Sequence, residues 1–298
     1  MNYTLHQLQV FLEVVRKKSV TKAAEELFMT QPALSIQLKN FQNQFDIPLT
    51  EVIGRKLYVT DFGLSIAEIA ENVLKEADAI KYKTKEYGGL VSGKLRISSA
   101  STGKYVVPYF LSPFLQKYSS IDLILDVTNK IKTINNLKNN EIDFALVSVV
   151  PDELDVYEES IIENRLYLVG NTTTYKKDLP FIFREEGSAT RLSMDKYLKL
   201  GKQRKRLELT SNEAVKQAVI AGLGYSIIPL IGIKNELLNG EVHIIPSKGL
   251  PIVTTWLLIW LKNKKLSPVA QEFLKFIKEQ KEQVVNASFK WYLDFESK

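Results

Sequence analysis

The chain has 298 residues, 45% of them hydrophobic and 25% charged, so it reads as globular and not disordered, and its length leads us to expect two domains. Forty basic residues against 34 acidic ones give a net charge of +6, which suits nucleic acid or an anionic ligand without requiring either. With no cysteine and only two histidines, His6 and His243, the sequence excludes a disulfide, a thiol nucleophile and a Cys-ligated zinc, and leaves a Ser-His-Asp triad only two candidate bases.

The first residues lack the order of a secretory signal, and no segment approaches the roughly 20 apolar residues of a membrane span, so we expect a cytoplasmic protein without a membrane partner. Thr4-Leu5-His6-Gln7 fits a capping box, and Leu5, Leu8, Leu12 and Val15 then repeat at helical spacing. A second, short helix over 21–28 follows Ser19, and a third opens at Thr30 with Pro32 in its first turn. Two helices joined by so tight a turn, the first carrying Ala23-Ala24, form a helix-turn-helix pattern. On the third helix Leu34, Leu38, Phe41 and Phe45 share one face, while Pro32, Ser35, Ile36, Lys39 and Asn43 point away without a carboxylate among them. Residues 55–60 read as a short basic strand, the wing of a winged helix-turn-helix, able to lie along a phosphate backbone.

From Asp61 a long helix carries the stripe Ile66, Ile69, Val73, Ala77 and Ile80, which is narrow enough for a two-helix seam and implies a dimer on a near-palindromic double-stranded DNA site. Tyr87-Gly88-Gly89 marks the boundary to a second pattern of alternating strands and helices. Strands are expected over 95–98, 123–127 and 144–149, with helices over 108–118 and 132–139 between them. Further strands follow over 166–169, 181–184, 207–209, 225–228 and 255–261, with helices over 212–223 and 267–285. These units are too many for one doubly wound sheet and fit two α/β lobes around a cleft. The predicted division is 1–60 for DNA binding, 61–88 for the linker helix and 89–298 for the two-lobed domain. Lobe I takes about 89–163 and 265–298, and lobe II about 164–264.

The stretch Phe11-Leu12-Glu13-Val14-Val15, then Ser19-Val20-Thr21-Lys22-Ala23-Ala24-Glu25-Glu26-Leu27, then Thr30-Gln31-Pro32-Ala33-Leu34-Ser35-Ile36-Gln37-Leu38-Lys39 resembles the DNA-binding signature of the LysR-type transcriptional regulators. The segments from Phe181 to Arg191 and from Ser211 to Lys216, with Gly222-Leu223-Gly224, are also similar to that family, nearest to members regulating carbon fixation or sulfur assimilation. The resemblance implies an all-α winged helix-turn-helix with a long linker helix, then an α/β two-lobed effector domain like periplasmic solute-binding proteins. It also implies a homotetramer that binds DNA, a small effector and the transcription machinery, with no cofactor and no enzymatic activity. In two places the chain departs from the family. Leu49-Thr50-Glu51-Val52 replaces an aromatic and arginine pattern before the wing, and residues 288–298, with Phe289, Trp291, Tyr292 and Phe295, extend past the last family-like helix to cap a lobe or to contact another subunit.

For DNA, the matched positions are Thr30, Gln31, Pro32, Ala33, Ser35, Gln37 and Lys39. Ile36 either meets a thymine methyl group or packs at the helix flank, and Lys22, Arg55 and Lys56 suit phosphate contacts better than base reading. For the effector, ligands of open α/β lobes bind beyond the carboxyl ends of strands, at helix N-termini. Ser99, Ser101, Thr102, Thr128, Asn129, Ser148, Ser188, Thr190, Arg191 and Asn212 occupy such ends and favour a carboxylate, a phosphate or a sulfur oxyanion. The plain alternatives are that Ser99, Ser101, Thr128 and Asn212 only cap helices, and that Arg191 only pairs with Glu185 or Glu186. The run Lys202-Gln203-Arg204-Lys205-Arg206 is assigned no DNA role, His243 reads as structural, and His6 reads as capping or packing. A solute-binding protein would not need the first 86 residues, and an enzyme would lack a thiol, a metal cluster and a phosphate-binding glycine loop.

Overall fold

A computed structural model describes residues 2–54, 56–87, 91–198 and 205–295, and its contacts divide the chain into two compact units, Met1–Gly89 and Leu90–Lys298. In the first unit, α1 (Leu5–Lys17) starts at the expected capping box: the Thr4 hydroxyl accepts from the Gln7 amide at 3.2 Å, and the Gln7 side chain accepts from the Thr4 amide at 2.9 Å. Ser19 caps α2 (Val20–Glu26) and Thr30 caps α3 (Gln31–Gln42). Leu8, Phe11 and Leu12 meet Ala23 and Ala24 of α2 and Leu34, Leu38 and Phe41 of α3 in one buried cluster. The small pair on α2 lets the helices approach closely.

The wing is a hairpin of β1 (Thr50–Ile53) and β2 (Lys56–Val59), turned by Gly54 at φ +56. Only its second strand was expected; the first is built by the departing segment, in which Leu49 anchors the wing, fully buried, while Glu51 and Val52 stay exposed. Next, α4 (Asp61–Tyr87) packs on α1 through Ala67 and Ala70. The expected seam is corrected at one position. Ile66 packs into this core, and the uncovered stripe is Ile69, Val73 and Ile80, at 59%, 40% and 71% exposure. Ile66 lies between the two faces of the helix, so spacing alone does not separate them.

In the second unit, β3 (Gly93–Ala100), α5 (Val107–Lys117), β4 (Ile121–Thr128), α6 (Lys130–Lys138) and β5 (Phe144–Val147) form a βαβαβ unit in which β3 lies parallel between β4 and β5. A 3-10 turn, Ser101–Tyr105, follows β3 directly. The chain then enters β6 (Val156–Gly170), β7 (Phe181–Arg184), α7 (Ala189–Leu198), β8 (Arg206–Leu209), α8 (Asn212–Ile220) and β9 (Ser226–Pro229). It ends with α9 (Lys234–Leu238), β10 (His243–Ile244), β11 (Ile252–Leu261), α10 (Pro268–Ser288) and α11 (Lys290–Leu293). The main sheet runs β10-β6-β11-β5-β3-β4 with β9 also on β6, while β7 and β8 pair with each other. Phe183, on β7, sits in the cluster that Leu166, Tyr225 and Ile227 build beneath the second lobe.

Two strands carry the division into lobes. β6, with 15 residues, and β11 pair antiparallel and pass through both lobes, and a bulge between Trp256 and Leu257 leaves Ile161 unpaired. On one side of that point β5 pairs with Leu257–Ile259 of β11, and on the other β9 and β10 pair with the 166–170 end of β6. Only the far end of β6 was legible in the sequence, because its first half sets apolar and charged residues in pairs, Val156-Tyr157, Glu158-Glu159 and Ile161-Ile162, instead of alternating them.

The C-terminal segment packs on its own chain, which favours the capping alternative. Phe289 and Tyr292 are buried. The Tyr292 hydroxyl accepts from the Arg165 amide at 2.8 Å and donates to the Glu163 carbonyl at 3.0 Å, with the Arg165 guanidinium 4.5 Å from the ring centre. Residues 296–298 lie outside the described residues. His243 pairs with Gly170 in the sheet, in a structural role, and His6 is exposed while the cap is made by Thr4 and Gln7.

Candidate functional site

Two surfaces collect the residues singled out from the sequence, one in each unit. On the first, Thr30, Gln31, Pro32, Ile36 and Lys39 of the α3 region are exposed, and Ala33, Ser35 and Gln37 are half-buried beside them. The Thr30 hydroxyl accepts from the Ala33 amide at 3.4 Å, and the Gln31 amide group donates to the Ser35 hydroxyl at 3.0 Å. That bond fixes two polar side chains on consecutive turns at the start of the helix. Ile36 is 59% exposed, so packing at the helix flank is not its role. Lys22 on α2 and Lys56 on the wing are exposed, while Arg55 lies outside the described residues. The surface offers amides, hydroxyls and ammonium groups and no carboxylate along α3, a set suited to base edges and phosphates.

In the second unit the strand ends and helix starts converge on one narrow cleft of about 20 Å³. The 3-10 turn after β3 brings Ala100, Ser101 and Thr102, α6 brings Asn129 and Lys130, and β5 ends at Ser148. From the other side come Arg184 at the end of β7 and Ser188, Ala189, Thr190 and Ser193 around α7, with Asn164, Leu166, Pro229 and Trp256 also lining the cleft. Asn129 caps α6 by accepting from the Lys132 amide at 2.9 Å, and Ser188 caps α7 by accepting from the Arg191 amide at 3.1 Å. Two helix N-termini therefore open onto one space, each adding partial positive charge.

The lobes meet at Ser101. Its hydroxyl accepts from Asn212 at 2.8 Å and from the Arg184 guanidinium at 3.2 Å, and Asn212 donates to Thr102 at 2.6 Å. Arg184, 3% exposed, is also held by Glu185 through two bonds of 2.6 Å. That pairing offsets most of its charge and fixes the plane of the guanidinium. Lys130 brings a second cation, whose pKa is lowered by burial against the pull of Asp152. The cleft thus carries a net positive balance with hydroxyl and amide groups around it, an arrangement fitted to a small anion.

Of the ten effector positions read from the sequence, Ser101, Thr102, Asn129, Ser148, Ser188 and Thr190 line this cleft. Four do not. Strand alternation turns Ser99 away from the Ala100 face into the core, where its hydroxyl donates to the Ala100 carbonyl at 3.1 Å and sits against Gly103, a position with no room for a Cβ. Thr128 ends β4 at the sheet edge, beyond the lining. Arg191 stacks 4.8 Å from the Phe183 ring and pairs with Asp195 at 2.6 Å and Glu208 at 3.0 Å, partners other than Glu185 and Glu186. Asn212 is no cap, since Ser211 caps α8, and it acts instead as the tie between lobes. Arg184, Lys130, Asn164 and Trp256 are lining residues the sequence reading missed. Arg184 carried a signal, because a charge at the end of the buried run Phe181-Ile182-Phe183 needs a reason. Of the basic run near 205, residues 202–204 lie outside the described residues, and Arg206 stacks on Phe183 at 5.2 Å.

Family models match both units: "LysR substrate binding domain" over residues 88–282, and "Bacterial regulatory helix-turn-helix protein, lysR family" over residues 5–64. The transcriptional activator CmpR of Synechocystis is 36% identical over 289 residues, covering 93% of this chain and 95% of CmpR. The RuBisCO operon transcriptional regulator of Acidithiobacillus ferrooxidans is 33% identical over 290 residues, covering 92% and 93%. Among solved structures, the regulatory domain of Synechocystis CcmR in complex with 2-PG aligns with a TM-score of 0.58 at 32% identity, over 64% of this chain and 98% of that one. Full-length CbnR complexed with its target DNA shares the fold, with a TM-score of 0.62 at 18% identity over 93% of this chain and 99% of that one.

Proposed function

Since the chain belongs to the LysR family of bacterial transcriptional regulators, we propose that it adjusts the transcription of carbon-fixation genes in response to a small phosphate- or carboxylate-bearing effector held in its C-terminal cleft. A member of this family is a DNA-binding regulator with an effector-binding domain and not an enzyme. In this reading residues 1–60 read DNA, 61–88 pair subunits and 89–298 sense the effector. Thr30, Gln31, Pro32, Ala33, Ser35, Ile36 and Gln37 face base edges, and Lys22, Lys39, Arg55 and Lys56 hold phosphates. The uncovered Ile69, Val73 and Ile80 on α4 support a homodimer seam on a near-palindromic operator, with tetramer formation and contact with the transcription machinery beyond it. Such work belongs in the cytoplasm, and no helix among the described residues is long and apolar enough to cross a membrane.

The observation that carries the effector reading is the meeting of two helix N-termini, Lys130 and Arg184 in one cleft. The relative in complex with 2-PG supports the anion class and supplies the probe. Thermal unfolding of the full chain with 2-PG, inorganic phosphate or sulfate is the test, because a ligand at 100 times its Kd adds about 2.7 kcal/mol. A rise in the melting temperature with 2-PG, accompanied by a change in operator affinity in the same samples, is the expected result. An unmoved transition with every anion overturns it. In the same operator assay, Lys39→Ala lowers the salt slope by about one unit if Lys39 holds a phosphate.

A further inference from the structure

Within the cleft, two buried polar atoms have no partner. Asn164 on β6 and Trp256 on β11 both line it, and each is 3% exposed. The Asn164 amide nitrogen donates to the Thr254 hydroxyl at 2.9 Å, which leaves its carbonyl oxygen without a partner, and the Trp256 indole N–H also has none. Asn164 pairs with Thr254 across the two strands, so Trp256, two residues on, stands on the same face of the sheet. Buried donors and acceptors are nearly always satisfied, and two that are not, side by side in a ligand cleft, mark a place a ligand completes.

We propose that Asn164 and Trp256 form a second polar seat, which requires the effector to carry, apart from its charged oxyanion, a separate oxygen able to accept a hydrogen bond. This rests on the anionic-effector reading above. The indole N–H only donates, so the group it meets must accept. The Asn164 amide can turn over, because the Thr254 hydroxyl serves either end of it. A hydroxyl then donates to Asn164 as it stands, and a carboxylate accepts from the turned amide. A methyl or an ammonium group meets the indole with no lone pair and is rejected. The seat lies beside the bulge where β6 and β11 pass between lobes, so a ligand filling it contacts the strands on which the lobes turn.

Four phosphate esters that differ only at the far end test this by titration calorimetry on the full chain: ethyl, 2-hydroxyethyl, carboxymethyl and 2-aminoethyl phosphate. The hydroxyethyl and carboxymethyl esters should bind about tenfold or more tightly than the ethyl and aminoethyl esters. Trp256→Phe should bring both to the affinity that ethyl phosphate shows in the same variant, which separates the seat from the extra charge of the carboxylate. Equal affinities for the ethyl and hydroxyethyl esters, or a preference that survives Trp256→Phe, overturns the seat and leaves the anion reading intact. No binding of any ester overturns both. Should Trp256→Phe not fold, the three indole N–H resonances, assigned through Trp260→Phe and Trp291→Phe, give the answer in the native chain. A downfield shift of the Trp256 signal with hydroxyethyl but not ethyl phosphate supports the seat, and the same response to both overturns it.

Discussion

The DNA-facing surface and the cleft differ in how far apart their residues lie in the chain. Along α3, the residues proposed to face DNA and those that hold the helix in place alternate within one short stretch: Leu34, Leu38 and Phe41 are buried while Pro32, Ile36 and Lys39 are exposed. In the cleft, residues from Ala100 to Trp256 meet only because the fold brings seven separate segments together. A second difference follows from burial. The exposed side chains proposed for DNA contribute little to folding, whereas Thr102, Arg184 and Ser188 are buried and serve both the fold and the proposed site. Substitution on α3 can therefore separate binding from stability, and in the cleft it cannot do so as cleanly.

The strongest way to break this comparison is to remove the support under α3. Phe41 is fully buried, with ring centres of Phe11 and Phe45 at 5.2 Å and Tyr3 at 5.5 Å. Phe41→Ala should cost about 3–5 kcal/mol, a large share of the stability of so small a unit. Calorimetry should show the transition of the first unit lost or moved far down, with that of the second unit and its response to 2-PG retained. Loss of both transitions together would mean that the units do not fold independently. A smaller effect is expected at the tie between lobes. Ser101→Ala removes the acceptor shared by Asn212 and Arg184 and should cost about 1–3 kcal/mol, read as a lower denaturant midpoint for the second unit at unchanged slope. The first unit should not respond.

The same contrast explains what was legible beforehand. Thr4 with Gln7, Ser19 and Thr30 with Pro32 are signals completed within four residues, and each marks the start of its helix as read. The run Phe181-Ile182-Phe183-Arg184 gave its strand with the correct ends because it is apolar on both faces. By contrast, β6 reads as charged and irregular until Leu166, since one face of its first half looks outward, and α7 carries no sustained apolar stripe. Asn164 fell outside the expected strand 166–169, and Trp256, though inside the expected strand 255–261, gave no polar signal of its own, so nothing local tied either to Ser101. Ser99 and Ser101 look alike in sequence, and only the alternation of β3 and the turn after it separate a core hydroxyl from one in the cleft.

The finest test concerns proton uptake, and it distinguishes the cleft from the DNA surface without unfolding either. Lys130 is the first residue of α6, where the helix terminus and burial both disfavour a positive charge, and its pKa lies below the ordinary 10.5 in spite of Asp152. An anion in the cleft needs the ammonium form, so affinity is full below the lowered pKa and is lost as pH rises through it, on the acid side of where exposed lysines titrate. The bound anion raises that pKa again, and binding within the window between the two values takes up a proton. Calorimetry in buffers of different ionisation enthalpy measures this uptake directly. Lys130→Arg should abolish it while keeping the charge, because a guanidinium does not titrate in this range. Lys130→Met should abolish it and weaken anion binding at every lower pH as well. Operator affinity without effector should remain as in the native chain in both variants, since Lys130 lies in the effector unit and the DNA-facing helix in the other. If proton uptake persists in Lys130→Arg, another group in the cleft supplies the titration, and the positive charge that selects the anion has been placed on the wrong side chain.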